Sequence, residues 1–368
     1  MVRFDRRLFI NFDWTLLFLL FLILFVGLIN IYSAGFAFTQ DTALCLKQCK
    51  WIIFGLICMV CAFSVDYRLI IRHAYFIYGI AIFLLLIVLF YGYMTHGSRR
   101  WILFMGFSFQ PSELMKLVMI LILAKYFDEN KLNRPLLLKD LLYPAVLTII
   151  PFLLIIQQPD LGTALIVLII FVSMILFIGV NWKSLSIVCM TGMALLPLTW
   201  FLLRDYQKER IMTLFAPEKD PLGSGYHIIQ SMIAIGSGGW WGKGFLKGTQ
   251  THLRFLPEQQ TDFVFSVFAE EWGFIGVLIL MGLFFSLIAW GLKIALHSKD
   301  YLGTLIAFGI TMLITWSVLI NVGMVLGLLP VVGIPLPFMS YGGSSIVVLL
   351  IAVGLMMNIS MRRFILHS

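Results

Sequence analysis

Ten stretches of this chain stay apolar for about the length of a membrane helix, and nothing else in it limits the fold so strongly. They fall at about 14–34, 48–65, 73–93, 111–127, 141–156, 161–180, 184–203, 263–291, 301–328 and 341–360. Each approaches the ~20 residues that a bilayer core requires, with 141–156 the shortest. The runs are continuous rather than alternating, which favours helices over barrel strands. Of the 368 residues, 61% are hydrophobic and 12% charged, too little polar surface for a soluble domain. The expected fold is therefore an all-α polytopic membrane protein, with ten transmembrane helices in a single integral domain spanning 1–368.

Basic residues in short loops orient such a bundle. With the N-terminus inside, the cytoplasmic side collects Arg3, Arg6, Arg7, Arg68, Arg72, Lys125, Lys131, Arg134, Lys139, Lys183, Lys293, Lys299, Arg362 and Arg363, fourteen of the 26. The short outer loops hold Lys47, Lys50, Arg99 and Arg100. Both termini are thus expected in the cytoplasm, and the net charge of +8 expresses topology rather than nucleic-acid binding. Residues 204–262 form a large extracytoplasmic loop between helices 7 and 8. Loops of that length usually carry function. Within it, 228–235 is expected as a short helix lying on the membrane.

The acidic stripe lies at the end of that loop. Pro257 marks a break and Thr261-Asp262 sits where a helix would begin; Asp262, Ser266 and Glu270 follow at i, i+4 and i+8, along one helical face. Carboxylates at and below a membrane surface are costly, so this stripe is expected to be the reacting edge of an embedded enzyme. A second polar cluster pairs Arg99 and Arg100 with a helix start at Pro111, where Glu113 and Lys116 stand at i, i+3. They either form a salt bridge that lets two charges tolerate the membrane or face an anionic substrate. Asp160, in a short outer turn, has a sufficient explanation as a helix cap. The segment 329–345, with three prolines and several glycines, must be buried or line a cavity, and is expected to wall a cleft.

Other motifs carry less. Cys58 and Cys61 form a CxxC inside an apolar helix, which reads as packing. The six histidines are scattered, with no metal-ligand spacing. The run 236–244 is not a phosphate loop, because Ser237 and Gly244 occupy positions where that motif needs Gly and Ser or Thr. Tight turns anchored by Trp240 and Trp241 are the simpler reading.

FLPEQQTDFVFSVFAEEWGFIG at 255–276, FQPSELMKL at 109–117, QQPDLGT at 157–163, DPLGSGYHIIQSMIAIGSGGWWGKG at 220–244 and LPVVGIPLPFMSYGGSS at 329–345 occur in order. Together they resemble the SEDS family (shape, elongation, division, sporulation), nearer its rod-shape-determining than its division branch. The resemblance implies a peptidoglycan glycosyltransferase that polymerises lipid II at the outer face of the cytoplasmic (inner) membrane. It also implies a class B penicillin-binding transpeptidase as partner, within the elongation complex. By resemblance Asp262 is the essential carboxylate, and Glu113 and Lys116 are the family's charged pair. The remaining substrate-facing candidates are Arg99, Arg100, Arg210, Asp160, Glu258, Thr261, Ser266 and Glu270. Lys116, Arg99, Arg100 or Arg210, or a bound divalent cation such as Mg or Mn, could stabilise a departing pyrophosphate. The main alternative is a flippase for the lipid-linked precursor, since buried charges and broken helices also suit transport.

Overall fold

The computed structural model describes residues 12–363 except 40–42, 96–97, 105–106, 133, 203–204, 220–222, 254 and 256–257. Arg3, Arg6 and Arg7, and the break expected at Pro257, lie outside the described residues. The helices are α1 (Trp14–Thr39), α2 (Ala43–Ser64), α3 (Tyr67–Arg72), α4 (Ala74–Tyr91), α5 (Pro111–Glu129), α6 (Leu138–Gln157), α7 (Leu161–Ile178) and α8 (Trp182–Leu202). The large loop contributes α9 (Asp205–Phe215), α10 (Ser224–Gly238) and α11 (Thr249–His252), and the chain closes with α12 (Val264–Leu296), α13 (Tyr301–Val325) and α14 (Gly343–Arg362). Among the described residues, eight helices are long and apolar enough to cross a membrane: α1, α2, α4, α6, α7, α12, α13 and α14. The two other expected spans are also helices, α5 of 19 residues and α8 of 21.

Strands do occur, outside the apolar runs. β1 (Tyr93–Thr95), β2 (Ser98–Phe104) and β3 (Phe107–Phe109) form an antiparallel sheet in the order β1-β2-β3. Tyr93 pairs with Trp101 and Ile102 with Phe109, so aromatic and β-branched residues supply the cross-strand contacts.

The helix α10 differs from expectation. It runs from Ser224 to Gly238 and is packed into the bundle, with Ile228, Ser231 and Ala234 buried. Ser231 Oγ donates to the Val325 carbonyl at 2.6 Å and shares a hydrogen bond with Ser266 Oγ at 2.9 Å. A helix resting on a lipid surface would turn such hydroxyls to water; here neighbouring helices meet them.

The glycine-rich run serves α12. At Gly273 the helix is interrupted, with φ 64° and ψ −167°. A break leaves carbonyls without their helical partners, which costs several kcal/mol each in lipid. Lys243 N donates to Glu270 O and Gly244 N to Glu271 O, both at 3.0 Å, while Phe274 N donates to Gly239 O at 2.8 Å. So close an approach excludes side chains: a Cβ on Gly242 would stand 2.1 Å from Glu271 O. The break separates a buried first part of α12, Val264 to Glu271, from a second part exposing Phe274, Leu278, Ile279 and Phe285.

Candidate active site

Asp262 does not lie on a helix. It is next to last in the turn 258–263, and α12 begins two residues later at Val264. Ser266 and Glu270, expected on the same face, are fully buried elsewhere. Ser266 meets Ser231, and Glu270 accepts from Lys243 Nζ at 2.7 Å, Thr249 Oγ1 at 3.1 Å and Gln250 N at 3.0 Å. The expected stripe fails because its periodicity starts only at Val264. The structure places neither residue at the cleft that Asp262 faces.

That cleft is a cavity of about 360 Å³, within the ~300–1,000 Å³ usual for ligand sites. Asp262, Glu258 and Thr261 line it from the turn, Arg210 from α9, Arg100 from β2, Glu113 from the first turn of α5, and Asp160 from the cap of α7. Val332, Gly333, Pro335 and Tyr341 supply the opposite wall. The proline-rich segment therefore walls the cleft, as expected from its composition. Gly333 stands over the acid: at φ +74°, a Cβ there would lie 3.4 Å from Asp262 Oδ2.

Neighbouring positions of β2 explain why one arginine reaches the cleft and its neighbour does not. Successive strand residues point to opposite faces. Arg99 turns outward, exposed, and donates to the Phe90 carbonyl at 3.3 Å. Arg100 turns inward and donates to Gln158 O at 3.2 Å and to Pro159 O. Arg99 is thus not among the cleft residues.

Two expected structural roles appear alongside the cleft positions. Lys116 Nζ pairs with Glu113 Oε1 at 2.7 Å, both side chains buried, so Lys116 sits behind Glu113 rather than on the cleft surface. Asp160 Oδ1 accepts from Thr163 N at 3.3 Å as the α7 cap, and Oδ2 accepts from Gln110 Nε2 at 3.0 Å and Ser112 Oγ at 3.2 Å.

Asp262 is different. Among the described residues its carboxylate takes no hydrogen bond, although its carbonyl does. Burial, and then the charge of Glu258, push its pKa up to about 6 against the pull of Arg210 and Arg100. A half-buried carboxylate with this pKa is mostly ionised at neutral pH and accepts a proton more readily than an ordinary one. Among the described residues no three His, Cys, Asp or Glu side chains converge as a metal site would need. The positive charges that act on Asp262 are the guanidinium groups of Arg210 and Arg100.

The model of the FtsW/RodA/SpoVE family, described as cell cycle protein, matches residues 13–364. The chain belongs to that family. It is 40% identical to the peptidoglycan glycosyltransferase MrdB of Escherichia coli (strain K12), covering 98% of this chain and 96% of that protein. It is 33% identical to the peptidoglycan glycosyltransferase RodA of Treponema pallidum, over 96% of this chain and 98% of the relative. A solved peptidoglycan synthase complex that coordinates polymerization and crosslinking contains a chain of TM-score 0.82 and 36% identity, covering 96% of this chain and 98% of that one. The rod shape determining protein RodA of Thermus thermophilus matches with TM-score 0.72 and 32% identity, over 96% of this chain and 98% of the other. The family fold is a multi-pass membrane bundle, in keeping with the apolar helices here.

Within this family frame, sequence reasoning missed Asn321. It is a fully buried amide in α13, donating to Asp262 O at 2.9 Å and Ile334 O at 2.7 Å. The signal was present: an amide inside an otherwise apolar span demands a partner.

Proposed function

We infer that this chain is a peptidoglycan glycosyltransferase of cell elongation, with lipid II as substrate and Asp262 as general base. The observation that carries the reading is a carboxylate that takes no hydrogen bond among the described residues, with pKa about 6, facing a cavity beside Arg100 and Arg210. A sugar hydroxyl is a poor nucleophile near neutral pH. As its oxygen bonds to the anomeric carbon, Asp262 takes the proton, a contribution of ~10²–10⁴-fold. The bond from that carbon to the lipid pyrophosphate breaks in the same step, with inversion. The electron pair leaves on the pyrophosphate, whose negative charge Arg100 and Arg210 stabilise.

The cleft opens to the outer face, with both termini cytoplasmic. Supporting this, Arg68 with Asp300, Arg134 with Asp140 and Arg362 with Asp66 form ion pairs at the end of the bundle opposite the cleft. The partner is a class B penicillin-binding transpeptidase of the elongation complex, in line with the solved complex that joins polymerization to crosslinking. The test is glycan-strand synthesis from lipid II in detergent by the purified protein with that partner. Detergent removes compartments, so a flippase makes no strands. Wild type is expected to polymerise and Asp262→Asn not to; strands from Asp262→Asn would refute the base.

A further inference from the structure

Three consecutive carbonyls in the turn that carries Asp262 are each captured from outside it. Gln260 O accepts from Tyr341 N at 2.8 Å, Thr261 O from Ser340 Oγ at 2.6 Å, and Asp262 O from Asn321 Nδ2 at 2.9 Å. Ser340 Oγ also accepts from Leu336 N at 2.8 Å. Asn321 spends its second amide hydrogen on Ile334 O at 2.7 Å, next to Gly333, the residue over the Asp262 carboxylate. One buried side chain therefore spans both walls of the cleft. It joins the backbone bearing the carboxylate to the backbone that faces it.

Packing alone does not call for an amide at this position. Asn321 Oδ1 is buried without a hydrogen-bond partner among the described residues, a cost that leucine, with the same branching and number of heavy atoms, would avoid. What the amide adds is distance control between two segments that contain no helix or sheet to hold them. Misplacing a reacting group by 1 Å can cost about a hundredfold in rate.

We propose that Asn321, seconded by Ser340, is a positioning residue that sets the height of the Asp262 carboxylate against the Gly333 wall. This rests on Asp262 being the proton acceptor. Neither residue lines the cavity, so the effect belongs in turnover rather than in substrate affinity.

The test compares Asn321→Leu, Ser340→Ala, Ser340→Thr and Asp262→Asn, each purified with the partner transpeptidase and normalised to folded protein by its melting transition. For Asn321→Leu, kcat on lipid II is expected to fall about 10–100-fold, with KM within about twofold. Ser340→Ala is expected to lower kcat and Ser340→Thr, which keeps the hydroxyl, to restore it. Unchanged kcat per folded Asn321→Leu molecule, with Asp262→Asn inactive, overturns the positioning role alone. Activity in Asp262→Asn overturns the proton-acceptor reading and this one with it. Should Asn321→Leu not fold, equal kcat in Ser340→Ala and Ser340→Thr overturns the proposal.

Discussion

Asp262 and Glu270 are eight positions apart, and their surroundings are opposite. Glu270 is wholly buried and saturated: Lys243, Thr249, Gln250 and Thr251 all donate to it. It ties the glycine-rich segment and α11 to the membrane helix α12. The Asp262 carboxylate takes no such donor among the described residues and faces a cavity. A carboxylate whose lone pairs are occupied holds elements together. One whose lone pairs are left open, with its pKa pushed up to about 6 by burial and then by Glu258, can receive a proton. Eight residues separate a saturated carboxylate from one that faces the cavity.

Exchanging the charge at each site breaks or upholds this contrast most strongly. Asp262→Asn is expected to lose polymerisation by at least ~10²-fold while its melting temperature barely moves. Glu270→Gln is expected to do the reverse, destabilising the fold by roughly 2–3 kcal/mol with turnover per folded molecule intact. That is below the ~3–5 kcal/mol that breaking a fully buried pair costs, because the Lys243 side chain reaches solvent. Strand synthesis and thermal melting of the same two preparations decide it. If the two variants lost activity and stability in parallel, the contrast would be void.

The adjacent arginines of β2 sharpen it next. Arg100→Ala is expected to lower turnover about tenfold, some ~1.4 kcal/mol of transition-state stabilisation. Arg99→Ala, on the outward face, should leave turnover within about twofold. Equal losses in a side-by-side rate assay would mean that strand alternation does not select between them. Gly333→Ala follows with a loss of a few-fold, since its φ of +74° is strained for alanine and the new methyl reaches Asp262 Oδ2; the rate per folded molecule measures it.

The smallest effect is on the pH profile. The base must be ionised, so the rate is expected to fall tenfold per pH unit below about 6, as Asp262 takes up its proton. Glu258 raises that pKa and Arg210 lowers it. Glu258→Gln should therefore carry the acid limb to lower pH, and Arg210→Ala to higher pH. Rate against pH for the three proteins reads out the sign; shifts in the opposite sense would remove these groups from the electrostatics of the site.

Local features were legible in advance. The i, i+3 pair of Glu113 and Lys116, the Asp160 cap and the cavity wall from the proline-rich segment, where Pro335 lines the cleft, depend on near neighbours, and composition and spacing encode those. The stripe through Asp262, Ser266 and Glu270 misled because helical spacing holds only inside a helix, and α12 starts at Val264. Arg99 and Arg100 could not be told apart before β2 was known to be a strand. The role of the glycine-rich run stayed hidden because its partners, the carbonyls of Glu270 and Glu271, become available only where Gly273 breaks the helix.

By itself the amino-acid sequence determined the membrane class, the helical runs and the short list of charges that lipid would not tolerate without a reason. Those follow from transfer energies and periodicity, which act residue by residue. Which of the acids faces the cavity without a hydrogen bond from the described residues was decided only in three dimensions. Asn30 reaches Val264 across 234 positions, and Asn321 reaches Asp262 across 59. Hydrogen bonds of that span depend on how whole helices meet, and no local pattern contains them.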